Sequence, residues 1–122
     1  MTRERLDLGK LGEELALKKV KRLGYKCIAR NYRCALGEID LIAKDGDCLV
    51  FIEIKTRRGR SLDSIKEVID KRKKRQLSKV ALAYLKSNNY YDVRSRFDVV
   101  AISLNQDKEQ IEVIQNAFDL EY

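Results

Sequence analysis

The chain of 122 residues contains no histidine, no proline and only three cysteines. Without histidine there is no Ser-His-Asp or Cys-His machinery and no His-containing zinc site. Cys27, Cys34 and Cys48 are odd in number, form no CxxC pair and sit in apolar, strand-like contexts. That is the pattern of small core residues in a reducing compartment. No stretch approaches the roughly 18 apolar residues of a membrane span. The N-terminal MTRERLDLGK has no apolar signal-peptide core. A cytoplasmic location is therefore expected. The lack of proline, of repeats and of low-complexity segments predicts one compact domain over residues 1–122. Chemistry falls to carboxylates, lysine, tyrosine or a bound cation.

What is present suits a small folded domain: 44% hydrophobic and 37% charged residues exclude a disordered tail. Lys and Arg number 26 against 19 Asp and Glu, a net charge of +7. An excess of that size points towards a polyanionic partner such as nucleic acid.

Leu8, Leu11, Leu15, Ala16 and Leu23 recur at helical spacing and Gly24 is a C-terminal stop, so a helix is expected over 7–23. Strands are expected over 26–33, 38–44 and 48–56, the last two joined by the hairpin signal Asp45-Gly46. Ser64 and Glu67 match a capping box opening one long helix to about residue 86. Strands over 96–103 and 110–115 complete the order α-β-β-β-α-β-β. The expected class is α/β, a mixed sheet flanked by helices.

The strand CLVFIEIKT is apolar on both faces except for Glu53 and Lys55, which share a face with Phe51. Burying a charge costs several kcal/mol unless it is paired, and even a pair is an unreliable source of stability. If the Asp-Gly turn pairs residue 44 with 47, Asp40 lies opposite Phe51. It is then diagonal to Glu53, about 7–8 Å away. Two carboxylates so placed can hold one hard cation, and Mg²⁺ suits a site of one or two carboxylates plus waters and phosphates. Lys55 would sit beside it, to orient the attacking water or offset phosphate charge. The structural alternative for these residues is an ion pair that fixes the hairpin register.

Gly37-Glu38-Ile39-Asp40-Leu41-Ile42 followed by Phe51-Ile52-Glu53-Ile54-Lys55-Thr56-Arg57 resembles the PD-(D/E)XK nuclease signature, with Ile39 where the superfamily's name has proline. The chain resembles most closely the YraN-like family of small bacterial proteins. That family's Gly-x-x-Gly-Glu helix stands as Gly9 to Glu13, its Gly-Tyr pair as Gly24-Tyr25, its Arg-Asn step as Arg30-Asn31 and its Arg-Phe-Asp-Val strand as Arg96 to Val99. The resemblance implies a restriction-endonuclease-like core, with Asp40 and Glu53 binding Mg²⁺ (or Mn²⁺). It makes Lys55 catalytic and Glu13 the helix-borne carboxylate. It further implies an endonuclease acting on DNA, including branched or recombining DNA, and, by analogy with archaeal junction resolvases, a homodimer. The alternative is a non-catalytic nucleic-acid-binding module or adaptor on the same fold.

Other residues sharpen this picture. On a helical projection Glu13 falls at the edge of the apolar stripe near Val20, whereas Glu14 points away. Glu38 shares the face of Asp40 and, in the simple register, opposes Glu53. Lys71 to Arg75 are five consecutive cations sweeping about 400° around a helix, too far for all to face one partner. Among them Lys73 falls on the apolar stripe and either snorkels over the core rim or points to the site. Arg57, Arg58, Arg60 and Lys73 would supply phosphate contacts, which carry affinity without sequence information. Tyr32, Tyr84, Tyr90 and Tyr91 are candidates for base stacking, with Tyr84 read as core. Asp98 is either an additional acid or a salt-bridge partner of Arg96 or another arginine, and the structural reading is favoured.

Overall fold

A computed structural model describes residues 3–66 and 69–119. Helix α1 spans Arg3–Arg22, followed by strands β1 (Lys26–Cys34), β2 (Gly37–Asp45) and β3 (Cys48–Arg58). Helices α2 (Leu62–Lys66) and α3 (Lys71–Ser87) then lead to β4 (Ser95–Asn105) and β5 (Lys108–Phe118). The five strands form one sheet in the order β1-β2-β3-β4-β5. All neighbours are antiparallel except β3 and β4, which are parallel. A parallel pair needs a crossover, and α2 and α3 provide it. This is the expected mixed sheet flanked by helices. Among the described residues no helix is long and apolar enough to cross a membrane.

Two apolar layers clamp the sheet. Ala16 and Val20 of α1 pack with Val50, Ile52, Val100 and Ile102 on one face. Leu77, Val80, Ala81 and Tyr84 of α3 pack with Ile42, Phe51 and Phe97 on the other. The inward stripe of α1 differs from the expected one, because Leu11 and Leu23 are exposed and Gly12 is buried against the sheet. Gly24 ends α1 as anticipated. At φ +94° it lets its N–H reach Lys21 O while the Tyr25 N–H reaches Val20 O, which satisfies two orphan carbonyls.

The single long helix expected from residue 64 is two helices. Asp70 is extended (φ −81°, ψ 173°) and its carboxylate accepts the Lys73 N–H at 2.8 Å, which starts α3 afresh. The short α2 is capped by Ser61, whose Oγ accepts the Ser64 N–H. Glu67, the far half of the expected capping box, lies outside the described residues.

The hairpin register also differs. Asp45 pairs with Cys48 and Lys44 with Leu49, so the two-residue loop is Gly46-Asp47. Gly46 takes φ +62° at the first loop position, a conformation costly for an aspartate and free for glycine. Asp45 stays in the strand, where its carboxylate accepts Arg96 Nη2 at 2.9 Å. The pairing therefore moves by two residues relative to the simple expectation.

Asp98 serves the fold, as read from the sequence. It is fully buried and accepts hydrogen bonds from Tyr25 Oη (2.6 Å), Arg96 Nε (2.9 Å) and the Asn116 N–H (3.0 Å). The last lies where the β4–β5 register slips. The three bonds provide what a buried carboxylate needs.

Candidate active site

The shifted register brings Asp40 one step beyond the last couple of the β2–β3 ladder, Leu41 with Ile52. It therefore faces Glu53, not Phe51. The ladder stops here because the Asp40 carboxylate substitutes for a main-chain carbonyl: its Oδ2 accepts the Ile54 N–H at 2.8 Å. Side-chain alternation also breaks at this point. Leu41 belongs to the core under α1, whereas Ile39, two residues away, belongs to the core under α3. On the neighbouring strand Asn31 takes φ +52° at the same level. Asp40 sits in the twist between the two faces and reaches towards both.

On the α3 side it meets Glu53, which is only 8% exposed. Burial first, and then the hydrogen bond and charge of Glu53, push the Asp40 carboxyl from its ordinary 3.8 up to about 7, against the opposing pull of the Ile54 N–H and Lys73. Glu53 Oε2 is buried without a hydrogen-bond partner. The nearest cation is Lys73 of α3, whose Nζ lies 3.6 Å from that oxygen. Lys73 thus points to the site, one of the two placements its position on the stripe allowed.

On the α1 side Asp40 lines a cleft of about 580 Å³ with Leu8, Gly9, Glu13, Ile54, Thr56 and Arg57. Gly12 sets the width of this cleft. A Cβ there would stand 2.0 Å from Thr56 Oγ1 and 3.0 Å from Thr56 Cβ, so only glycine lets α1 lie so close to β3. That approach carries Glu13, the next residue, into the cleft. Glu14 turns outward and pairs with Arg30 at 2.6 Å, as its place on the helix implied.

Asn31 was not singled out as a site residue. With its amide nitrogen turned towards the acids it donates to Glu13 Oε1 and Glu38 Oε1, 3.2 Å each, an orientation assigned from the hydrogen-bond network. Its positive φ is tolerated best by asparagine among side-chain-bearing residues, and the Arg-Asn step was the signal available. Glu38 does not oppose Glu53 as the simple register predicted. It is tied to Asn31 and pairs with Arg33 at 3.3 Å. Among the described residues no group of three or more acidic or cysteine side chains converges on one point. Asp40 and Glu53 form a pair, and Glu13 and Glu38 meet at Asn31.

Lys55 lies two residues beyond Glu53 and is half-buried. Among the described residues nothing forms a hydrogen bond or ion pair with its ammonium. It does not line the cleft. Arg57 does, with its Nη1 bonded to Thr56 O at 2.8 Å. Arg58 and Arg60 are exposed at and beyond the end of β3. Of the tyrosines, Tyr84 is core, packed edge-on to Tyr32 and Phe51. Tyr90 and Tyr91 are exposed beyond the opposite end of α3, roughly 25 Å from Lys73 along the helix at 1.5 Å per residue.

Residues 12–102 match the sequence pattern described as "Uncharacterised protein family UPF0102", a span that contains Glu13, Asp40, Glu53 and Lys55. The chain belongs to the UPF0102 family. It is 47% identical over 116 residues to a UPF0102 protein of Geobacter sulfurreducens, covering 94% of this chain and 91% of that one. It is 41% identical over 119 residues to a UPF0102 protein of Syntrophus aciditrophicus, covering 98% and 94%. A UPF0102 protein of Caldicellulosiruptor saccharolyticus is 40% identical over 114 residues, covering 92% and 97%. Membership of UPF0102 bears out the YraN-like resemblance drawn from the motifs.

Proposed function

We propose that the chain is a divalent-metal-dependent nuclease hydrolysing phosphodiester bonds in DNA, with branched or recombining DNA as the substrate class. Asp40 and Glu53 would hold the ion. The observation that carries this reading is the acid pair itself. Two carboxyls lie side by side at a break in the sheet, one with a buried oxygen that has no hydrogen bond. A fold alone would be served as well or better by two apolar residues.

Mg²⁺ fits this donor set, because it takes one or two carboxylates and completes its shell with waters and substrate phosphates. Mn²⁺ shares the preference for oxygen ligands. When bound, the ion would supply Lewis-acid polarisation of the phosphate and neutralise the charge that develops on it. The chain's own residues supply the rest. Lys55, with no competing partner, donates hydrogen bonds to the attacking water or to a phosphate oxygen. Glu13, steadied by Asn31, accepts a hydrogen bond from water in the cleft. Arg57 on the cleft wall, with Arg58 and Arg60 beyond it, holds backbone phosphates.

A second reading has one observation in its favour. Lys73 partly neutralises Glu53 without any metal, as expected of a nucleic-acid-binding module that keeps the fold and performs no turnover. Labelled junction, flap, duplex and single-stranded substrates in Mg²⁺ or Mn²⁺ separate the two. The nuclease reading predicts cleavage that EDTA abolishes, and that Lys55→Ala lowers by about 10²–10³-fold while binding is kept. Binding without cutting in either metal would establish the module instead. Absence of salt-dependent binding would remove both.

A further inference from the structure

We propose that the groove between the first turns of α3 and the tip of the β1–β2 hairpin is a second nucleic-acid site. It would take the sugar-phosphate backbone where it runs on past the Asp40–Glu53 pair. This rests on the function proposed above and adds a surface to it.

The groove measures about 790 Å³ and is lined by Lys71, Arg72, Lys73, Arg75, Gln76 and Lys79. Four of the five consecutive cations at 71–75 thus share one groove, and, as their spread around the helix requires, not all five do. The helix begins at Lys71, so its first residues reach over the open end, while Arg72, Arg75, Gln76 and Lys79 follow the i, i+3, i+4, i+7 stripe. Lys74 alone turns away, to the Phe118 ring 5.7 Å off.

Two further observations ask for an anion. Among the described residues, Lys71, Arg72, Arg75 and Lys79 have no ion pair or hydrogen bond from their side chains. The one acid on the wall, Asp70, is engaged in capping α3. The first turn of α3 also holds no acid at all. That end of a helix carries a partial positive charge, where acids stabilise and cations oppose the dipole. A helix optimised only for stability would have the reverse composition.

The opposite wall is formed by Ala35 and Leu36 at the hairpin tip, and the next residue anchors it to α3. Gly37 packs so tightly on α3 that a Cβ would lie 3.0 Å from Gln76 Nε2 and 3.2 Å from Val80 Cγ2. The groove is concave, which suits a strand better than a flat bilayer. It connects to the acid pair through Lys73, which lines the groove and pairs with Glu53. The Arg72–Lys79 stripe runs about 10 Å along the helix, the length of about two or three phosphates of one strand.

The test uses the full chain carrying Asp40→Asn, so that binding is read without turnover. Anisotropy of a labelled branched DNA is measured between 50 and 200 mM KCl. Replacing Lys71, Arg72, Arg75 and Lys79 together by Gln should flatten the salt slope by about 3.6, at close to 0.9 per phosphate contact. Affinity at 100 mM salt should fall at least about tenfold. A control with the same charge change elsewhere, Lys10, Lys18, Lys21 and Lys86 to Gln, should alter the slope by less than about 1. The groove variant should melt no lower than its parent, since it sheds cations from the positive end of α3, which separates lost binding from lost fold. Equal slopes for both sets would overturn the proposal, as would loss of binding to anionic vesicles with DNA binding intact. Failure of the parent chain to hydrolyse any phosphodiester would count against the nuclease reading, not against the groove.

Discussion

Asp40→Asn is expected to make the metal-free protein more stable at pH 8 and, by the same substitution, to abolish phosphodiester cleavage. The stability half follows from the raised Asp40 carboxyl, at about 7 in the folded chain against an ordinary 3.8. Between those values the folded protein keeps a proton that the unfolded chain has released. Its stabilising contribution is complete below about pH 4 and is lost as pH rises through 7. Each unit of difference is worth about 1.4 kcal/mol. Asparagine cannot ionise, can still accept the Ile54 N–H and can donate to Glu53. A gain of at least about 1 kcal/mol at pH 8 that vanishes near pH 4 is therefore expected. Urea melts at both pH values in EDTA measure it. The activity half follows from removing one of two ion-holding oxygen donors. A loss on the order of 10³-fold, about 4 kcal/mol of transition-state stabilisation, is expected. A variant less stable than the parent at pH 8, or as active, would contradict the site as drawn.

The second large effect concerns two glycines on one helix, with opposite signs. Gly12→Ala places a methyl 2.0 Å from Thr56 Oγ1, inside any permissible contact, so α1 must lift from β3. A cost of about 2 kcal/mol, or roughly 8 °C in Tm, is expected. Because Glu13 rides on the same turn, the cleft widens. Thr56→Ala removes the clashing oxygen, so the double variant should recover part of the loss, with a coupling of about 1 kcal/mol. Gly9→Ala meets nothing within 4 Å and should gain about 0.5–1 kcal/mol from helix propensity. Calorimetry of the four variants decides it. Equal shifts at Gly9 and Gly12 would show that helix propensity, not the approach to Thr56, governs both.

Much of this was legible in the chain. The two-faced apolar pattern of residues 48–56 marks β3 as central, and Glu53 is conspicuous there because the period of a strand is so simple. The pattern could not give the register of the hairpin. Asp-Gly signals a turn but not which residue occupies its first bent position, and the choice was made by a long-range partner, Arg96, that holds Asp45 in the strand. A two-residue shift keeps the faces, which is why Asp40 still meets Glu53. The break in alternation at Asp40 escapes any periodic rule, and it coincides with the positive φ of Asn31 on the neighbouring strand. The division of the long helix was hidden for a similar reason: Asp70 lies within an otherwise helical stretch, and its capping role depends on an extended backbone that propensity does not specify. Gly12 illustrates the same limit, because its necessity is set by Thr56, 44 positions away.

The most direct test of the acid pair is divalent-ion binding to the chain alone. Titration with Mn²⁺ at pH 8, followed by calorimetry or paramagnetic resonance, should give one ion per chain. Glu53→Gln and Asp40→Asn should each weaken that binding at least about tenfold, as expected for loss of one of two anionic donors. Binding of equal strength in the parent and in both variants would contradict the claim that these two carboxylates share a cation.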